Sequence, residues 1–98
     1  MKDVTIVNFL NILRKNFDIS QVEVIDLWEA DTCAIGIKKE DKLVYISTYN
    51  YCQNKIISYD FDFEIINENK LEVIKERRNI TEKELLNKIK IFLDLRKY

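Results

Sequence analysis

An uninterrupted alternation of apolar and polar residues runs through the middle of the chain, from Ile57 to Ile65. Its apolar side carries Ile57, Tyr59, Phe61, Phe63 and Ile65, and its polar side carries Ser58, Asp60, Asp62 and Glu64. Successive side chains of a β-strand point to opposite faces of the sheet. Residues 55–66 are therefore predicted to form a strand with an apolar face toward a core and an acidic face toward water or a partner.

Apolar residues at helical spacing mark the N-terminal part of the chain. This stripe consists of Ile6, Phe9, Leu10, Leu13 and Phe17, which share one side of an α-helix. Asp3 precedes the stripe and suits the N-cap position, because its carboxylate can accept hydrogen bonds from the free N–H groups of the first turn. We expect a helix over residues 3–16.

A second helix start is encoded near the C-terminal end. Thr81 and Glu84 have the spacing of a capping box, and Ile80 and Leu85 flank the cap as a hydrophobic staple does. The apolar stripe that follows consists of Leu85, Leu86, Ile89, Phe92 and Leu93. The opposite face of this predicted helix carries several lysines and is basic.

Residues 32–39 and 42–49 are predicted to form a hairpin around Glu40-Asp41. A two-residue loop there would place Ile37 opposite Val44 and Ile35 opposite Ile46, which puts apolar pairs on one face. On the other face Gly36 would meet Tyr45, and an aromatic ring can cover the bare backbone of a glycine. Glu-Asp is not a favoured two-residue turn, so a longer loop is the alternative.

Two further strands complete the predicted sheet. In residues 21–29 the apolar positions change parity, which indicates either a bulge or partial cover on both faces. Residues 70–77 carry lysines and arginines, as edge strands often do to discourage pairing with other chains.

Together these elements predict a single α+β domain over residues 1–98. The expected order is an N-terminal helix, a five-stranded antiparallel meander sheet and a C-terminal helix. Short connections favour antiparallel neighbours. Both helices must bury an apolar stripe, so we expect them on one face of the sheet, with the other face open.

Composition narrows the class of protein. The 98 residues include 16 basic and 17 acidic ones, but residues 20–69 hold ten acidic and only four basic residues. Cys33 and Cys52 occur without histidine and without a CxxC motif, so free thiols are expected rather than zinc. The N-terminus lacks the features of a signal peptide, and no stretch approaches the ~20 apolar residues of a membrane span. We expect a soluble, cytoplasmic protein.

The acidic side of the central strand is the main candidate for a site. Asp60, Asp62 and Glu64 could bind a divalent cation, act as a general acid–base pair or form an anionic patch for a basic partner. The plain alternative is a solvated face that keeps the domain soluble. The chain has no histidine and no recognisable nucleophile–base pair, so we expect neither enzymatic activity nor a cofactor or bound metal.

Tyr45 and Tyr49 share the parity of this acidic face if the hairpin register holds. Tyrosines supply large contact areas with few rotatable bonds and are enriched in interfaces. With the acids they would suit a protein partner rich in lysine or arginine. No broad basic stripe suggests nucleic acid as a partner, although an acidic sheet could also mimic nucleic acid. An exposed edge strand could equally mediate a homodimer.

A helix–meander–helix order in a short chain with an acidic open face resembles the small cytoplasmic immunity proteins of bacterial contact-dependent growth inhibition and polymorphic toxin systems. The resemblance covers the whole chain at the level of architecture and charge, and no residue role is carried over. It implies a tight complex with a cognate toxin domain, often a basic nuclease, whose active site is blocked.

Overall fold

Residues 1–97, the part of the chain that the computed structural model describes, contain two α-helices and five strands. In chain order the elements are α1 (Val4–Asn16), a 3₁₀ turn (Ile19–Gln21), β1 (Glu23–Ile25), β2 (Ala34–Lys39), β3 (Lys42–Ser47), β4 (Tyr59–Asn67), β5 (Lys70–Ile80) and α2 (Glu82–Leu93). The strands form one antiparallel sheet in the order β1-β2-β3-β4-β5. The predicted α+β meander is confirmed.

Both helices pack on the same face of this sheet, as predicted. Their buried residues join one core cluster with Ile35, Ile37, Val44, Ile46, Phe61 and Phe63, which share one face of β2, β3 and β4. On the side of α2, the rings of Phe63 and Phe92 stack with centroids 4.1 Å apart. On the side of α1, Phe9 packs against Tyr59 with centroids 5.2 Å apart. We call this the inner face and the opposite one the outer face.

The two helix starts follow the predicted caps. Asp3 accepts a hydrogen bond from the backbone N–H of Thr5 at 3.0 Å, and Thr81 Oγ1 accepts one from Glu84 N at 3.1 Å. The side chain of Glu84 departs from the capping box, because its carboxylate accepts a hydrogen bond from Arg77 Nη2 at 3.3 Å. Each helix start therefore has a donor satisfied by a side chain of the chain itself.

The central hairpin has the predicted register. Ile37 pairs with Val44, Ile35 with Ile46, and Gly36 with Tyr45. Glu40 has a positive φ of 58°. Two-residue hairpin loops require such a left-handed conformation, which glycine adopts more easily than glutamate does. The shorter of the two predicted loops is therefore correct, at the cost of an uncommon backbone conformation.

The first strand differs most from its prediction. Only Glu23–Ile25 pairs with β2, and the chain then leaves the sheet in a segment held by Lys2. The ammonium of Lys2 contacts Asp26 Oδ1 at 2.7 Å and the carbonyl oxygens of Trp28 at 3.2 Å and Asp31 at 2.8 Å. These contacts fold residues 26–31 back over the sheet, which explains the change of parity.

Trp28 covers Gly36 together with Ile25 and Leu43. A Cβ atom placed on Gly36 would lie 3.0 Å from Ile25 Cγ1, 3.1 Å from Leu43 Cδ1 and 3.2 Å from Trp28 Cζ3. Tyr45 instead packs edge-on against Trp28, with ring centroids 4.7 Å apart. The expectation of an open second face is therefore wrong for the β1–β2 side, which this apolar group covers.

The last two strands also differ from their predicted bounds. Residues 48–58, part of which the sequence pattern predicts to be strand, instead form turns and bends before β4. Strand β5 continues to Ile80, and its pairing with β4 shifts register twice. Near the second shift Asn79 has a φ of 56°, as expected where an extra residue bends an edge strand. Across residues 1–97, neither helix has the length and apolarity that a bilayer crossing would require.

Candidate partner-binding surface

The three acidic residues of β4 all lie on the outer face, as the alternation predicts. Asp62 is paired with Tyr45 of β3, and Glu64 with Leu43. Asp60 is paired with Ser47 at the end of the same strand. Neither helix covers them, because α1 and α2 both pack on the inner face. The surroundings of the three carboxylates nevertheless differ.

Asp60 is committed to contacts within the protein. Its side chain is buried, and its Oδ1 accepts hydrogen bonds from the Tyr51 hydroxyl at 2.6 Å and from the backbone N–H of Asn79 at 3.0 Å. The first bond connects the turn segment after β3 to β4. The second gives the backbone N–H of Asn79, at the bent end of β5, an acceptor. Sharing its proton with this carboxylate raises the pKa of Tyr51. Asp60 therefore holds local structure together and is poorly placed to meet a partner.

Asp62 pairs with an arginine of the edge strand. Arg78 Nη1 lies 3.0 Å from Asp62 Oδ1, and Arg78 Nη2 lies 3.7 Å from a carboxylate oxygen of Glu76. The hydrogen bond to Asp62 raises the pKa of Arg78. Half of the arginine side chain remains exposed. The same guanidinium also donates to the carbonyl oxygens of Phe61 at 3.3 Å and Arg77 at 2.9 Å, so a competing cation must replace these bonds as well as the ion pair.

Glu64 is the carboxylate without an internal partner. Only 8% of the residue is exposed, and within residues 1–97 no hydrogen bond or ion pair reaches its side chain. Its neighbours across the sheet are Leu43 and Val73. Burial among these apolar groups raises the pKa of Glu64, and the charge of Asp62 raises it further. None of its oxygens is sealed from solvent without a bonding partner, so the carboxylate keeps some contact with water.

The two predicted tyrosines occupy different positions. Tyr45 is half-buried against Trp28, and burial raises the pKa of its hydroxyl, with the charges of Asp31 and Asp62 raising it further. Tyr49 lies beyond the end of β3 and is 69% exposed. Its backbone N–H donates to Ser47 Oγ at 3.2 Å. The structure thus brings Tyr45 next to the acids, whereas Tyr49 lies in the turn that follows β3.

Trp28 and Arg78 also shape this surface, although sequence reasoning did not assign them to it. The parity change in residues 21–29 was a signal for Trp28, because it indicated cover on both faces. The position of Arg78 depends on the bulge near Asn79, for which the sequence gives no distinct signal.

Metal chemistry finds no support in the geometry. In the described part of the chain, no group of three or more acidic or cysteine side chains is placed to hold a metal ion. Asp60 and Asp62 instead accept hydrogen bonds from different residues of the protein, Asp60 from Tyr51 and Asp62 from Arg78.

Comparison with protein-family models, with curated proteins and with solved structures finds no match to this chain. A function must therefore be argued from the surface itself.

Proposed function

We propose that this protein binds a basic protein partner through the outer face of its sheet and so neutralises that partner. The observation that carries the proposal is Glu64, a nearly buried carboxylate with no partner of its own among the described residues. The proposed contact is a lysine or arginine side chain that reaches Glu64 between Leu43 and Val73. No enzymatic activity or cofactor is part of this proposal.

Electrostatics favours a cation at this position. A carboxylate that is partly removed from water without a counter-charge carries a desolvation cost that nothing in the free protein offsets. A partner's ammonium or guanidinium group would compensate that cost when the complex forms. The adjacent Asp62 adds negative charge, although Arg78 partly offsets it. Attraction of this kind speeds association and weakens with salt.

Aromatic side chains on the same face could add apolar contacts to the charge interactions with a partner. Trp28 and Tyr45 form a packed pair beside Asp62, and Tyr49 extends from the adjoining turn. Tryptophan and tyrosine are the residues most often found at energetic centres of protein interfaces. The resemblance to immunity proteins makes a basic toxin domain, such as a nuclease, the leading partner within this proposal.

The test uses two glutamate variants with equal changes of charge. Immobilised protein captures partners from a lysate of the source cell at low and at high salt, and the captured protein is then purified and titrated by calorimetry. We expect a basic partner whose affinity falls at least about tenfold with Glu64→Gln, because a buried charge pair is lost. Glu72→Gln is the control, since Glu72 is exposed on the inner side of β5.

Equal affinities of the Glu64→Gln and Glu72→Gln variants would show that the outer face is not the binding surface. Binding that is insensitive to salt, or a partner without a basic surface, would contradict the electrostatic basis of the proposal. Melting curves of both variants establish that each is folded before it is titrated.

A further inference from the structure

The two cysteines lie at the same end of the β2–β3 hairpin. Cys33 immediately precedes β2, and its carbonyl oxygen accepts a hydrogen bond from Thr48 N at 3.0 Å. The chain then folds back through hydrogen bonds from Tyr51 N to Thr48 O at 2.8 Å and from Asn54 N to Tyr51 O at 2.9 Å. We call residues 48–54 the tyrosine turn, because Tyr49 and Tyr51 belong to it.

This fold-back places Cys52 at the same end of the hairpin as Cys33. Cys52 Sγ lies 3.6 Å from the carbonyl oxygen of Tyr49, and Tyr49 and Cys33 line the same surface hollow. Burial raises the pKa of the Cys33 thiol, and direct interaction with the Cys52 thiol raises it further. Both cysteines are free thiols in the structure, Cys33 buried and Cys52 partly exposed.

We infer that Cys33 and Cys52 are a disulfide-forming pair, with Cys52 as the attacking thiol and Cys33 as the resolving thiol, oxidised by small-molecule disulfides such as glutathione disulfide. The order of the two steps follows from exposure, since Cys52 is the more exposed of the two thiols. The sequence spacing gave no reason to expect this pairing.

The chemistry balances without a further oxidant. Cys52 loses its proton to solvent, and its thiolate attacks one sulfur of glutathione disulfide, which forms a mixed disulfide and releases one glutathione thiolate. The thiolate of Cys33, after losing its own proton, attacks Cys52 Sγ and releases the second glutathione. Two protein thiols are oxidised, one small-molecule disulfide is reduced to two thiols, and both released thiolates take up protons.

The bond would fasten the tyrosine turn to the sheet. In the reduced protein this turn is tied down by the Thr48–Cys33 backbone hydrogen bond and by the contact of Tyr51 with Asp60. A covalent link adds a constraint that opening of those hydrogen bonds cannot release. Oxidation would thereby restrict the exposed Tyr49, whether or not the outer face binds a partner. The inference is therefore independent of the proposed function.

The test exposes the full-length protein to a series of glutathione redox buffers, followed by alkylation with N-ethylmaleimide and mass spectrometry. Under oxidising conditions the wild type should lose two hydrogens, accept no alkylating groups and carry no glutathione. Its melting temperature should rise by roughly 5 °C or more and return to the starting value with dithiothreitol. Amide exchange at Tyr51 and Asn54 should slow in the oxidised form.

Single-cysteine variants identify the roles of the two thiols. Cys33→Ser should stop at a persistent glutathione adduct on Cys52, and Cys52→Ser should react slowly, because its remaining thiol is buried. Neither variant should gain the melting-temperature increase. A wild type that keeps the glutathione adduct, forms only dimers linked between molecules, or stays reduced in buffers that modify Cys33→Ser would overturn the inference.

Discussion

At the scale of single residues, the three acidic side chains of β4 lie on the same face of the sheet but make different contacts. Asp60 is held by two donors, and Asp62 by one exposed arginine. Glu64 is buried without a partner among the described residues. Since the cost of a buried charge depends on its compensation, only Glu64 should destabilise the folded protein.

Replacing Glu64 by glutamine should raise the free energy of unfolding near neutral pH. Burial raises the pKa of Glu64, so the folded protein binds this proton at a higher pH than the unfolded chain does. The ionised group therefore lowers stability above its folded pKa, and the effect vanishes below the unfolded value of about 4.3. Urea titrations of wild type and Glu64→Gln at several pH values measure the difference.

The stability gain of Glu64→Gln should thus be greatest at neutral pH and disappear as the solution becomes acidic. Glu72→Gln serves again as the control, because Glu72 is exposed and should show little change at any pH. A Glu64→Gln protein that is less stable than wild type at neutral pH would mean that the carboxylate has a stabilising partner after all.

At the scale of elements, Asp60 connects three parts of the fold. Its carboxylate joins β4 to the tyrosine turn through Tyr51 and to the bent end of β5 through Asn79. Asp60→Ala leaves both donors without this acceptor and should cost about 2–3 kcal/mol. Chemical denaturation measures the loss. Tyr51→Phe is the matched variant, and it should cost less, about 1 kcal/mol, because the bond to Asn79 N remains.

Equal losses for Asp60→Ala and Tyr51→Phe would show that the bond to the backbone of Asn79 contributes nothing. Amide exchange at Asn79 distinguishes the two contacts, since only Asp60→Ala should make that proton exchange faster.

How much of the fold the sequence predicts depends on how local the determining contacts are. The register of the β2–β3 hairpin was predictable, because only one alignment around Glu40-Asp41 pairs Ile37 with Val44 and Ile35 with Ile46. The direction of the β4 acids was predictable for the same reason, a period of two along one strand. Both features depend on residues that are close in sequence.

Features that depend on distant contacts were not predictable. Trp28 contacts Gly36 from a segment, residues 26–31, whose backbone is bound by Lys2. Lys2 precedes α1 and is therefore far from this segment in sequence. Arg78 reaches Asp62 only where β5 bends. Asp60 and Asp62 have different partners, and Glu64 has none among the described residues. The sequence therefore located the candidate surface but did not predict the different contacts of its three acids.

At the scale of the whole molecule, the inner core and the outer apolar group share one sheet. Gly36, covered by Trp28, lies between Ile35 and Ile37 of the inner core. Because consecutive residues of β2 contact the inner core and the outer-face residues around Trp28, unfolding of the inner core should disrupt the packing around Trp28 at the same time. Trp28 is the only tryptophan, so its fluorescence reports on the outer face while circular dichroism reports on the whole fold.

The variant Phe9→Ala tests this coupling. Phe9 is fully buried against Tyr59 on the inner face, and its truncation should cost about 3–5 kcal/mol. If the domain unfolds as one unit, the Trp28 fluorescence and circular dichroism midpoints should coincide in wild type and move together in the variant. Val7→Ala, on the exposed side of α1, should move neither by much. A fluorescence midpoint that stays in place while the other falls would mean that the outer group is held independently of the core, and the surface proposed for binding could then survive without the helices beneath it.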